Sequence, residues 1–211
     1  MYRMEGYGSP PPGLGAQPTP FDGEWAPRPL SGTIPHMPAP RRPIVLVGLL
    51  GSGKTTVGSA LADRLGRPLW DGDAKLLEVT GMAPAALGAE RGLDVLYGLE
   101  LEVMSLGLAH RPAPVVAAAA SVGLDPRLPG LLLEAWTVWL RVELTHLVSR
   151  LQRDDGHRPL PGGDLLATLR EMERVRDPLY AQVADLTLDA TRTPPAALVQ
   201  RIVEAMPFPD A

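Results

Sequence analysis

Eight consecutive residues, Gly48-Leu49-Leu50-Gly51-Ser52-Gly53-Lys54-Thr55, spell G-x-x-x-x-G-K-[ST] without a mismatch. Glycines at those places let the backbone curl so that successive N–H groups face phosphate oxygens, and a helix beginning at the lysine adds its positive end. A lysine so placed reaches the β- and γ-phosphates of a nucleotide, and the hydroxyl after it ligates Mg2+. The expected nucleotide residues are Gly48, Gly51, Ser52, Gly53, Lys54, Thr55 and Thr56. The chain has only two lysines, Lys54 and Lys75, against eighteen arginines. A lysine kept in such a chain suits chemistry that arginine cannot reproduce, whereas Lys75 alone reads as a compositional accident.

Three further groups of residues carry possible chemistry. In Asp71-Gly72-Asp73, two carboxylates two residues apart can divide the labour of phosphoryl transfer. Asp71 would hold a water of the Mg2+ shell, and Asp73 would take the proton of an attacking hydroxyl. The same residues also suit a turn followed by a helix N-cap. The segment Arg153-Asp154-Asp155-Gly156-His157-Arg158-Pro159 reads either as a lid carrying arginines to the transferred phosphoryl group or as a solvated connection. Arg176, in Arg176-Asp177-Pro178-Leu179-Tyr180, is an anion clamp or a helix-surface arginine. His36, His110 and His146 have no partners at ligand spacing, so no metal beyond nucleotide-borne Mg2+ is expected.

These residues need elements to hold them. Ile44–Val47 is a short apolar, β-branched run ended by glycine, the pattern of a buried parallel strand. Thr55–Arg64 has helical spacing with Gly66 as its stop. A second strand over Pro68–Trp70 delivers Asp71. Helices are expected over Ala74–Thr80 and Leu93–Leu108, then a strand over Val115–Ala119. Val138–Leu140 is the next strand, flanked by Trp136 and Trp139 as core residues, and a helix over Glu143–Leu151 follows. Asp164 caps a helix to about Arg174, Leu186–Asp189 is the last strand, and Thr193-Pro194 opens a closing helix. Strands alternating with helices throughout mean an α/β fold, a parallel sheet with helices on both faces. In such a sheet ligands sit beyond the carboxyl ends of the strands, where both the phosphate loop and Asp71-Gly72-Asp73 fall. Trp70, just before them, is expected in the core.

Composition sets the bounds. The chain has 211 residues, 45% of them hydrophobic, enough for one domain with a sizeable core. Ten of the first forty residues are proline. Residues 1–40 are expected to be a disordered tail and 41–211 the domain, with Met37 as an alternative start. The net charge of −4 argues against a nucleic-acid partner held by a basic face. Cys is absent, which excludes disulfides and thiolate zinc sites. No apolar run reaches the ~18 residues of a membrane helix, and no signal peptide is visible, so a cytoplasmic protein is expected.

Strand, phosphate loop, Asp-x-Asp, Arg-Pro-Leu and Arg-x-Pro-Leu-Tyr together resemble the shikimate kinases, small members of the nucleoside-monophosphate-kinase-like P-loop fold. The resemblance covers roughly Pro43 to Met206. It implies a three-layer fold on a five-stranded parallel sheet of order 2-3-1-4-5, ATP and Mg2+ as cofactors, and a monomer acting on a small-molecule acceptor. It also implies that Lys54, Asp73 and Arg158 are catalytic, that Arg153 joins the nucleotide site, and that Asp71 serves Mg2+ through water. The acceptor would meet Asp73, Tyr97, Glu100, Ala119 and Arg176, with Arg176 taking its carboxylate. Two places depart from the family. Leu96-Tyr97-Gly98-Leu99-Glu100 stands where the family has F-R-x-x-E, so a tyrosine replaces a carboxylate-binding arginine. Ala118-Ala119-Ala120 stands where the family has three glycines, and each added Cβ makes close approach and positive φ costly. The expected activity is transfer of the ATP γ-phosphate to a hydroxyl of shikimate or a related hydroxy acid. Asp-Gly-Asp and Gly156-His157 also resemble gluconate kinases, which keeps a sugar-acid kinase open. A non-catalytic nucleotide-binding regulatory protein is the alternative of another class.

Overall fold

A computed structural model describes residues 42–153 and 164–207. The tail assigned to residues 1–40 and the lid arginine Arg158 lie outside the described residues. The first strand, β1 (Ile44–Val47), is wholly buried and runs through the centre of the sheet. After it come α1 (Lys54–Leu65), β2 (Leu69–Asp71), α2 (Gly72–Thr80), α3 (Pro84–Arg91) and α4 (Leu93–Ala109). Next are β3 (Val115–Ala117), a 3₁₀ turn over Ala120–Leu124, α5 (Leu128–Leu131) and β4 (Trp136–Arg141). The chain closes with α6 (Leu144–Arg153), α7 (Leu165–Val183), β5 (Leu186–Asp189) and α8 (Pro195–Ala205).

The five strands pair only in parallel, in the order β2-β3-β1-β4-β5. Ile44 of β1 stands opposite Val115 of β3 on one side and Trp136 of β4 on the other. Strands buried on both faces lose all their apolar surface to water contact, which is why β1, β3 and β4 read as continuous hydrophobic runs. Helices α1 and α8 pack together, as do α7, the 3₁₀ turn and α4. The parallel order puts every strand's carboxyl end, and hence both Gly48 and Asp71, on one edge of the sheet.

Several boundaries differ from those the sequence suggests, each for a tertiary reason. Helix α7 does not stop near Arg174 but continues to Val183 with Pro178 inside it. Proline removes one helical hydrogen bond; burial of Leu169, Arg176 and Tyr180 along one face holds the helix together across it. Strand β3 ends at Ala117 rather than Ala119: the Ala118 N–H still donates to Leu46 O at 3.1 Å, then the chain turns into the 3₁₀ segment. Strand β4 is twice the expected length, so Trp136 lies within it as Trp139 does, and both are buried. Arg153 ends α6 instead of opening a loop. Helix α3, absent from the sequence reading, begins at Pro84 and buries only Leu87, too weak an apolar face to register as a period.

Tyr180 illustrates how the core reaches the site. Its ring is fully buried, and its hydroxyl donates to Ala120 O at 2.7 Å, with Gly48 O 3.4 Å away. Helix α7 is thereby fastened both to the turn after β3 and to the first residue of the phosphate loop. Tyr180→Phe is expected to lower stability by about 1–2 kcal/mol, because the buried carbonyl loses its donor. Urea denaturation of the two proteins measures the difference, and equal midpoints would show that water replaces the hydroxyl.

Candidate active site

The loop between β1 and α1 owes its shape to three glycines at positive φ: Gly48 (148°), Gly51 (78°) and Gly53 (94°). At Gly48 a side chain is also excluded by space, since a Cβ there would lie 2.6 Å from Leu140 O and 2.8 Å from Ser52 Oγ. Lys54 Nζ donates to the loop's own carbonyls, Gly48 O at 2.9 Å and Leu49 O at 3.0 Å. The ammonium thus lies over the loop, where it neutralises carbonyls that would otherwise repel a phosphate. Ser52 Oγ, in a side chain only 2% exposed, has no hydrogen-bond partner among the described residues.

At the end of β2 a single carboxylate does two jobs. Asp71 Oδ1 accepts from the Ala74 N–H at 3.0 Å, making Asp71 the N-cap of α2, and Oδ2 accepts from Thr55 Oγ1 at 2.6 Å. The cap and the cation-facing role are therefore compatible in one residue. Gly72 lets this turn approach the end of β3: a Cβ on it would sit 3.2 Å from Ala119 N and 3.3 Å from Ala117 O. Asp73 follows in the first turn of α2.

A cleft of about 800 Å3 opens on this edge of the sheet, a size suited to a nucleotide. Gly51, Ser52, Gly53, Lys54, Thr55 and Thr56 line one end together with Asp71, Asp73 and Arg153. The other end is formed by Ala190, Thr193, Pro195 and Leu198, an apolar wall at the start of α8. Arg150, which the sequence reading passed over, ties these ends together. Its guanidinium donates to Ala190 O at 2.7 Å and Thr191 O at 3.0 Å, and reaches Gly51 O at 3.4 Å. An arginine in an amphipathic helix gives no sign of such a role until β5 is placed beside β4.

Glu100 and Arg176 lie outside that cleft's lining and form a second cluster coupled to it through Asp73. Both are buried, at 6% and 7% exposure. Ser121 of the 3₁₀ turn donates a short hydrogen bond to Glu100 Oε2. Burial raises the Glu100 carboxyl from the usual range to about 7; Ser121 opposes that rise, Asp73 adds to it, and Arg176 opposes it. The Arg176 charge acts on Glu100 and on the Tyr180 hydroxyl. Ser121 too escaped the sequence reading, hidden behind the run of alanines. Tyr97 packs with Met82 and Leu99 against the apolar cluster of Leu76, Leu87, Leu96 and Val103, one turn before Glu100. Ala119 has φ −59° and ψ 146°, and no non-glycine residue among those described has positive φ. The alanines thus need no positive φ, and Gly72 is the residue whose missing side chain lets the start of α2 lie against the end of β3. Trp70 is only partly buried against the core, with Nε1 donating to Val103 O at 3.1 Å. Among the described residues no cluster of His, Asp and Glu is arranged to hold a metal ion by itself, and no helix is long and apolar enough to cross a membrane.

A glycine-framed phosphate loop on the central strand of a 2-3-1-4-5 parallel sheet, faced by an aspartate pair, defines a P-loop phosphotransferase. The comparisons with known proteins make the family plain. The family model described as shikimate kinase matches residues 50–207. A shikimate kinase of Dechloromonas aromatica is 34% identical over 172 residues, covering 81% of this chain and 91% of that protein. Among solved structures, shikimate kinase from Acinetobacter baumannii in complex with shikimate superposes with a TM-score of 0.72 at 27% identity, over 77% of this chain and 91% of the other. A gluconokinase from Sinorhizobium meliloti gives a TM-score of 0.50 at 25% identity, over 76% and 90%. The chain belongs to the shikimate kinase family, and is a small-molecule kinase that phosphorylates a hydroxyl group.

Glu100 makes the site's stability depend on pH. Its folded-state value lies above the ordinary carboxyl value of 4.5, so folding favours the neutral acid. No penalty applies below about pH 4.5; it grows as pH rises towards 7 and is constant above, reaching on the order of 3 kcal/mol. Urea denaturation from about pH 5 to about pH 8 should therefore show wild type losing stability relative to Glu100→Gln. Parallel curves would mean that the buried carboxylate ionises without cost.

Proposed function

We propose that this chain transfers the γ-phosphate of ATP to a hydroxyl of shikimate or a related hydroxy acid. The observation that carries this reading is the joining of Thr55 and Asp71 at 2.6 Å beside Asp73, with a buried guanidinium, Arg176, whose charge acts on the buried Glu100. Lys54 and the loop N–H groups hold the β- and γ-phosphates, with Gly48, Gly51, Ser52, Gly53 and Thr56 shaping the loop. The Thr55 hydroxyl and, through water, Asp71 suit Mg2+, a hard cation that takes oxygen donors and keeps several waters. When bound, Mg2+ screens the phosphate charge that would repel a nucleophile. Arg150 and the apolar wall at Pro195 orient the base end.

Asp73 accepts the proton of the attacking hydroxyl as its oxygen closes on phosphorus, and Arg176 fixes the acceptor by its carboxylate. Glu100, Tyr97 and Ala119 border the acceptor, while Arg153, with Arg158 beyond the described residues, supplies cations to the transferred group. The better superposition on a shikimate kinase than on a gluconokinase, 0.72 against 0.50, supports shikimate over a sugar acid. We assign the kinase domain to residues 41–211, within the compact unit Pro38–Ala211. Both halves of the site come from one chain, which supports a monomer, and use of ATP supports a cytoplasmic location.

Shikimate-dependent ADP release from Mg-ATP tests the proposal, with gluconate in parallel. Lys54→Ala and Asp73→Asn should each lower kcat at least ~100-fold, and Asp73→Asn should leave nucleotide affinity unchanged. Release that depends on gluconate alone would overturn the choice of acceptor. Nucleotide binding with neither acceptor turned over would favour a non-catalytic nucleotide-binding protein.

A further inference from the structure

Glu100 is a buried carboxyl group whose hydrogen-bond donor is the Ser121 hydroxyl. Ser121 of the 3₁₀ turn packed on α4 donates to Glu100, and the charges of Asp73 on α2 and Arg176 on α7 act on it, with Tyr180 one turn beyond Arg176. The other charged groups of α2 and α3 are turned elsewhere: Lys75 pairs with Glu78 at 2.6 Å, and Arg91 lies beside Glu90 at 3.8 Å, both on the surface. On α4 itself the turn before Glu100 presents Tyr97, a phenol packed in an apolar cluster rather than a second cation. Glu100 and Arg176 are thus a buried carboxyl and a buried guanidinium, 6% and 7% exposed, with the Ser121 hydroxyl donating to Glu100. An acceptor carboxylate that takes Arg176 withdraws the cation nearest Glu100 and adds an anion beside it. Two carboxylates in one dry site do not both stay ionised.

Resting on the acceptor reading above, we propose that Glu100 couples acceptor binding to proton uptake: a hydroxy acid binds Arg176 as its carboxylate, and Glu100 takes a proton from solvent to admit it. The neutral carboxyl then keeps one acceptor oxygen for the Ser121 hydroxyl and gains an O–H to donate. The raised titration of Glu100 in the unliganded site agrees with this, since a carboxyl titrating at about 7 needs little further change to take up a proton. A neutral polyol would bind without taking up a proton, so Glu100 also sets how selectivity between acids and neutral compounds changes with pH. Glu100 acts through the charge it presents and is a positioning residue.

Calorimetric titration of the full chain with shikimate, in buffers of different ionisation enthalpy from pH 6 to pH 8.5, tests the coupling. Uptake approaching one proton is expected on the alkaline side, with Kd weakening roughly five- to tenfold between about pH 6 and pH 8. Glu100→Gln should bind with no proton uptake and a flat Kd. Ser121→Ala, which removes a hydrogen bond that favours the charged form, should move the midpoint to higher pH and serves if the glutamine variant fails to fold. Binding with a flat Kd and no proton uptake in wild type overturns the coupling alone. Absence of binding to wild type and both variants at every pH overturns the acceptor reading together with it.

Discussion

Asp71 accepts hydrogen bonds on both carboxylate oxygens, from the Ala74 N–H and the Thr55 hydroxyl, and the relative placement of α1 and α2 depends on both. The first bond satisfies one of the orphan donors at the start of α2. The second brings the phosphate loop's terminal hydroxyl onto the same carboxylate. Since β2 stands two strands from β1 with β3 between them, this bond spans the gap over β3 at the sheet's carboxyl edge. Asp73 is then placed without further help: two residues into a helix whose start is fixed, its position follows from helical geometry. Gly72 completes the arrangement, because only a residue without Cβ lets the turn settle against Ala117 and Ala119 unhindered.

The two sides of the site use different physics. On the phosphate-loop side, backbone N–H groups, one ammonium and hydroxyl and carboxylate oxygens line an open cleft, where solvent would share the cost of a charged ligand. On the acceptor side Glu100 and Arg176 are almost wholly buried. There a charge is tolerated only when paired or hydrogen-bonded, and each added ion changes the ionisation of its neighbours. Tyr180 joins these worlds mechanically. Its hydroxyl fastens α7, which carries Arg176, to the carbonyl of Ala120 close to Gly48 O.

What the sequence showed follows the same division. The phosphate loop, β1, Asp71 and the α/β alternation were legible because each is specified by neighbouring residues: glycines for positive φ, a lysine and a threonine at fixed spacing, an apolar run before them. The sheet order came from family resemblance, since nothing local encodes which strand lies beside which. Arg150 and Ser121 were invisible for that reason. Each earns its place from a partner far along the chain, Ala190 and Thr191 for one and Glu100 for the other. The extent of α7, expected to end near Arg174, was not legible because the burial of Leu169, Arg176 and Tyr180 that carries the helix past Pro178 depends on distant packing.

Ala118-Ala119-Ala120 carries the lesson one step further. Judged by residue type, three alanines after β3 look like an obstruction to anything that must come close. In the folded chain Ala119 has an ordinary extended conformation, and the close contact is made by Gly72 from the opposite side. Ala120 contributes through its carbonyl, which any residue could supply. A close approach between two backbones needs a missing side chain on only one of them. The phenol of Tyr97, in turn, offers one neutral donor where a guanidinium would offer a charge. The alanines keep ordinary backbone conformations, so what a carboxylate ligand would change on this side is the charge around the buried Glu100 and Arg176.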